Sequence, residues 1–123
     1  MVLRFEKAGR AVVLAGDISE EVEKVLLGSG QNLKADLLLQ GEHSRERNLS
    51  REWLGAVQPR WLVRPQRGYH PDRMMEAGKM RELKELGIEL LRMDETGALQ
   101  FRIGQGGEAD ITSWSSERGA FVQ

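Results

Sequence analysis

Glu42 and His43 stand side by side just after the apolar run ADLLLQ, with Ser44, Arg45 and Arg47 close behind. A carboxylate beside an imidazole is a pair that can ligate a divalent ion, or divide into a ligand and a general base. Two further donors have comparable chemistry: Asp17, after the glycine that ends AVVLAG, and His70, just before Pro71. A two-metal hydrolase needs about seven or eight ligand atoms around ions about 3.5–4 Å apart. With two histidines and no cysteine, the chain cannot supply them. Asp17, His43 and His70, with Glu42 as a ligand or base, can hold at most a single Zn or Mn ion with open water positions.

Each donor also has a purely structural reading. Asp17 stands three residues before Glu20, the Asp-x-x-Glu spacing of a capping box. Glu42 and His43 fit a polar loop after a strand, and His70 beside Pro71 fits a helix entry. A second chemistry is offered by arginines. Arg45 and Arg47 follow one strand, and Arg64, Arg67 and Arg73 follow the next, near Tyr69. If those strands are parallel neighbours, the five arginines form a basic rim where open α/β sheets bind ligands, suited to a nucleic-acid backbone. Glu42, Glu46, Glu52 and Asp72 are interleaved with them and can neutralise it. GQGGEAD lacks the strand–glycine loop–helix context of a nucleotide site and reads as a turn. No nucleophile motif accompanies either histidine.

These residues are positioned by recognisable elements. VLRFEKAGRAVVLAGD is a hairpin turning at Lys7-Ala8-Gly9-Arg10. DISEEVEKVLLGSG is a helix with Asp17 or Ser19 as N-cap and Gly28 as its stop. ADLLLQ and RWLVR have the continuous apolar pattern of strands covered on both faces. LSREWLGAVQP is a helix capped by Ser50, and PDRMMEAGKMRELKELG is a third, ending before Gly87. IELLRMD and ALQFRI read as strands of a hairpin turning at Glu95-Thr96-Gly97, and ITSW is a last strand. Trp53 and Trp61 are expected in the core, and Trp114 at an interface.

The 123 residues are 40% hydrophobic and 30% charged, with a net charge of −1, which suits a soluble globular domain rather than a disordered tail. Near-neutral charge gives no global pull on nucleic acid, so such binding needs a local patch. No apolar run approaches the roughly 20 residues of a bilayer span, and the N-terminus lacks a signal-peptide layout. The expected fold is α/β, a mixed sheet with about three helices and antiparallel strands at both ends, in one domain over 1–114 with a loose tail at 115–123. Three helices leave part of one sheet face uncovered, which calls for dimerisation or a larger sandwich.

The segments VLRFEKAGRAVVLAGDISEEVEKVLL, LKADLLLQGEHS, WLGAVQPRWLVRP and MRELKELGIELLRMDETGALQFRI follow one another in a telling order. Over residues 2–103 they resemble the C-terminal half of the metallo-β-lactamase-like domain of ComEC-type DNA-uptake (competence) proteins. In that family the hairpin ends in Gly-Asp, the next strand in a His-His-Gly-Ser loop, and the third in a Gly-His-Pro-His turn. Gly16-Asp17 keeps the first. Glu42-His43-Ser44-Arg45 falls on the second, where His43 matches and Glu42 replaces the first histidine. GYHP, with His70, lies about four residues early for the third, leaving Met74, Met75 and Glu76 in its place.

The resemblance implies half of an αββα sandwich and a family chemistry in which two metals, bridged by the aspartate, hydrolyse phosphodiesters of the DNA strand not taken up. The family's His-x-His-x-Asp-His motif belongs to its N-terminal half and has no counterpart in this sequence. The expectation is therefore a degenerate nuclease-like domain, associated with DNA uptake and inactive alone. Its partners would be DNA and either the N-terminal half of the domain or a second copy. By resemblance it would be an outward-facing soluble domain of a cytoplasmic-membrane protein. The rival expectation is a non-catalytic interaction module, acting through its sheet face or Trp114.

Overall fold

The computed structural model of the chain describes residues 1–41, 48–65, 77–115 and 117–122. It begins with the expected hairpin. β1 (Leu3–Lys7) and β2 (Arg10–Gly16) pair antiparallel, with Lys7 opposite Arg10. The two turn residues, Ala8 and Gly9, have φ of 52° and 79°, the left-handed pair that matches the twist of a two-residue hairpin.

From β2 the chain alternates helix and strand. α1 (Glu20–Leu27), β3 (Leu37–Gln40), α2 (Arg51–Val57), β4 (Trp61–Arg64), α3 (Ala77–Glu85) and β5 (Glu89–Arg92) follow. The five strands form one sheet in the order β1-β2-β3-β4-β5, with β2 to β5 parallel. Because each crossover moves to the next strand in the same direction and with the same hand, the three helices fall on one face. The packing agrees: Val13, Leu38 and Leu62 of the strands cluster with Trp53, Leu54, Val57 and Leu83 of the helices. α2 is capped as expected, the Ser50 hydroxyl accepting from the Trp53 N–H, and ends at Gln58 in the left-handed conformation. The expected start of α3 at Pro71 lies outside the described residues.

The opposite face carries the alternate residues Val12, Leu37, Leu39, Trp61, Val63 and Leu91. Here the structure departs from the expected hairpin between IELLRMD and ALQFRI. β5 runs into a single-turn helix, α4 (Met93–Thr96), and β6 (Leu99–Ile103) enters a separate sheet with β7 (Ala109–Ser115) and β8 (Ala120–Val122). Gly97, with φ of 71°, redirects the chain, and Arg92 bonds Asp94 at 2.7 Å and Glu95 at 3.1 Å across the turn. Leu99, Phe101, Ala109 and Ile111 of this small sheet pack on Trp61 and its neighbours; the Trp61 and Phe101 rings meet edge to face at 5.6 Å. The part of the tail expected to be loose instead supplies β8, with Phe121 opposite Trp114.

The result is an α/β fold of three layers: helices, a mixed five-stranded sheet and a smaller antiparallel sheet. Its small sheet is pinned at one end. Gly107, with φ of 85°, approaches the β1–β2 turn so closely that a Cβ would lie 2.8 Å from the Ala8 carbonyl oxygen. The Gly107 carbonyl in turn accepts from Arg10 Nε at 2.7 Å. The small sheet covers the β3–β5 side of the face and stops short of β1. Leu3 and Phe5 remain 43% and 55% exposed.

Candidate functional site

The parallel strands β2, β3 and β4 end together, at Gly16-Asp17, Gln40-Gly41 and Arg64-Pro65. This is the edge where an open α/β sheet presents its loops. Its framework is built from side chains on the helix face. Glu23 of α1 is fully buried, and of the roughly four acceptor sites of a carboxylate three are used. Gln40 Nε2 donates to Oε2 at 2.7 Å, the Leu49 N–H to Oε2 at 2.6 Å, and the Ser50 N–H to Oε1 at 2.9 Å. Trp53 Nε1 donates to Gln40 Oε1 at 2.8 Å. Asn48 Nδ2 donates to the carbonyls of Gly41 at 2.8 Å and Ile18 at 3.0 Å. Gly41, where the chain leaves β3, and residues 48–50, where it re-enters described structure, are therefore clamped to the same carboxylate network.

Leu49 shows how tightly. It is buried yet holds φ of 59°, a left-handed conformation that costs a leucine roughly 1–3 kcal/mol. Its N–H bond to Glu23 and its carbonyl bond from Lys79 Nζ at 2.8 Å hold it there.

Of the residues the sequence singles out, Asp17 and Arg64 lie within the described structure. Asp17 is exposed at the end of β2. Ser19, not Asp17, is the N-cap of α1, with its hydroxyl accepting from the Val22 N–H. The capping-box reading of Asp17 thus falls. Among the described residues nothing hydrogen-bonds or ion-pairs with its carboxylate, which lies so close over Gly41 that a Cβ there would collide with Oδ1. Arg64 is 2% exposed, and its Nη1 donates to the Gln40 carbonyl at 3.4 Å. It braces the ends of β3 and β4 and does not belong to an exposed rim. Its position explains why: Arg64 follows Leu62 on the helix face by strand alternation. Glu42, His43, Arg45, Arg47, Arg67, His70 and Arg73 lie outside the described residues. The strands that precede them are parallel neighbours, as the rim requires: Leu37, Leu38 and Leu39 pair with Trp61, Leu62 and Val63.

Among the described residues no three His, Cys, Asp or Glu side chains converge on a point that could hold a metal ion. Asp17 is the one expected ligand among the described residues, and a lone carboxylate does not define a metal centre. Nor is any described helix long and apolar enough to cross a membrane. The residues that sequence reasoning missed are Glu23, Gln40 and Asn48. A signal for Glu23 was present: it precedes Leu26 and Leu27 by three and four positions, on the inward stripe of α1, while Val22 and Val25 face outward.

The chain is similar, along most of its length, to a segment of each of two longer proteins. It is 36% identical over 112 residues to competence protein ComA of Neisseria gonorrhoeae, an alignment covering 86% of this chain and 16% of that protein. It is 28% identical over 106 residues to ComE operon protein 3 of Bacillus subtilis (strain 168), covering 83% of this chain and 13% of that protein. The chain thus spans about one-sixth or less of each relative's length. No family model matches it.

Proposed function

We propose that this chain is a domain of the DNA-uptake machinery, equivalent to the C-terminal half of a metallo-β-lactamase-like fold, that contacts DNA without hydrolysing it alone. The observation that carries the reading is the similarity to segments of competence protein ComA and ComE operon protein 3 across more than four-fifths of the chain. The architecture is compatible with it. Helices cover one face of a mixed sheet and a second sheet lies on the other, the layering of half an αββα sandwich.

The donor count supports the inactive state. Two histidines and no cysteines fall short of a dinuclear set. Asp17 would be the first ligand of the pattern, and Glu42, His43 and His70 complete what the chain can offer. DNA would be held by Arg45, Arg47, Arg67 and Arg73 beyond β3 and β4, with Arg64 bracing the strand ends beneath them.

The test is calorimetric titration with Mn²⁺ and Zn²⁺ on the wild type and His43→Ala, beside incubation with linear and single-stranded DNA. The expected result is at most one ion per chain, lost in His43→Ala, and intact DNA. Metal-dependent cleavage by the isolated wild type, abolished by His43→Ala, would overturn the inactive reading.

A further inference from the structure

Among the described residues β1 is the edge strand of its sheet, with no neighbour on its outer side, and it carries an alternating set of side chains. Leu3 and Phe5 lie on the sheet face opposite the helices, in register with Leu14 and Val12. Arg4 and Glu6 lie on the other face, in register with Val13 and Ala11, and pair with each other at 3.0 Å. The two-residue turn closes on Lys7 and Arg10. By the antiparallel alternation, Lys7, Phe5 and Leu3 then direct their backbone groups to β2, and Arg4 and Glu6 direct theirs to the open edge.

We propose that β1 is a self-association edge, on which a second copy of this chain adds its own β1 antiparallel about a two-fold axis through Phe5. Charge order and backbone alternation converge on that register. Placing Phe5 opposite Phe5 puts Arg4 of each copy opposite Glu6 of the other, so the charges are complementary twice over. The same Arg4–Glu6 pairs are the ones whose backbone donors and acceptors face outward, so they become the hydrogen-bonded pairs of the new ladder. Phe5 then falls at a non-hydrogen-bonded position, where side chains approach more closely, and the two exposed rings cover one another.

A shift of one residue would oppose Arg4 with Phe5 and turn the two apolar rows to opposite faces. Exposed charges on an edge usually discourage pairing, but here their order is self-complementary. The interface extends the five-stranded sheet across the axis and brings Leu3 and Phe5 of both copies into one apolar row. A five-residue ladder lies below the size of a permanent interface, so the dimer is a reversible one whose population rises with concentration.

Sedimentation velocity on the chain and its variants tests the register, with circular dichroism confirming the fold of each. The wild type is expected to shift from monomer to dimer as concentration rises. Arg4→Glu and Glu6→Arg, each alone, oppose like charges and are expected to be monomeric, as is Phe5→Asp. An equimolar mixture of Arg4→Glu with Glu6→Arg restores two opposite-charge pairs and is expected to dimerise, as is the double variant carrying both changes. A wild type that stays monomeric throughout overturns the proposal. So does a folded single variant that dimerises like the wild type, or a mixture that fails to recover. None of these outcomes depends on DNA or metal, so the result is independent of the function proposed above.

Discussion

At the scale of single residues, the feature that organises the candidate edge is a carboxylate with no catalytic assignment. Glu23 is fully buried and satisfies Gln40 Nε2 and the N–H groups of Leu49 and Ser50. Truncation leaves those donors buried without an acceptor, and bonds to a charged group are each worth about 1.5–3 kcal/mol. Glu23→Ala is therefore expected to lose about 3 kcal/mol or more of stability, read as a lower midpoint in urea or thermal unfolding. Leu49→Ala, at a buried position already in left-handed geometry, should also destabilise by about 2–5 kcal/mol through the lost packing. Equal midpoints for Glu23→Ala and the wild type would refute the role given to the network. In the sequence Glu23 stands among the other acids of the first turn of α1, Glu20 and Glu21. Only its place on the Leu26–Leu27 stripe separates it from them.

At the scale of elements, helix caps give the most direct handle. Ser50→Ala removes the N-cap of α2 and is expected to cost about 1 kcal/mol. Gln58→Gly relieves the left-handed C-cap of the same helix, where φ is 50°, and is expected to gain up to about 1 kcal/mol. Chemical denaturation of the two variants should move midpoints in opposite directions. The strands β2, β3 and β4 were legible because continuous apolar runs such as LLL and WLV suit a sheet covered on both faces. The Ala8-Gly9 turn was legible through its residue types. The step from β5 to β6 was not. Glu95-Thr96-Gly97 between two apolar runs has the same appearance whether the strands pair or change sheets. What decides is tertiary: Leu99 and Phe101 find their partners on Trp61 and Leu91 across the layer. β8 was missed for a similar reason, since its three residues gain order only by pairing with β7.

At the scale of the whole molecule, β3 and β4 are parallel neighbours whose C-terminal ends, Gln40 and Arg64, lie at one edge of a protein with a net charge of −1. The α/β layering was readable in advance from the alternation of helices and strands, while the parallel pairing of β3 and β4 entered only as a condition. The burial of Arg64 was not, because an arginine at the end of a strand looks the same whether it faces the helices or the solvent. DNA contact at this edge is the central element of the proposed function. Fluorescence anisotropy with labelled single-stranded DNA, titrated at several salt concentrations, tests it on the wild type and on Arg45→Glu with Arg47→Glu. The account predicts binding at low salt that weakens as salt rises, with a log–log slope shallower by roughly 1.4 in the double variant, about 0.7 for each lost phosphate contact. Absence of binding at low salt, or the same affinity and slope in both proteins, would contradict it.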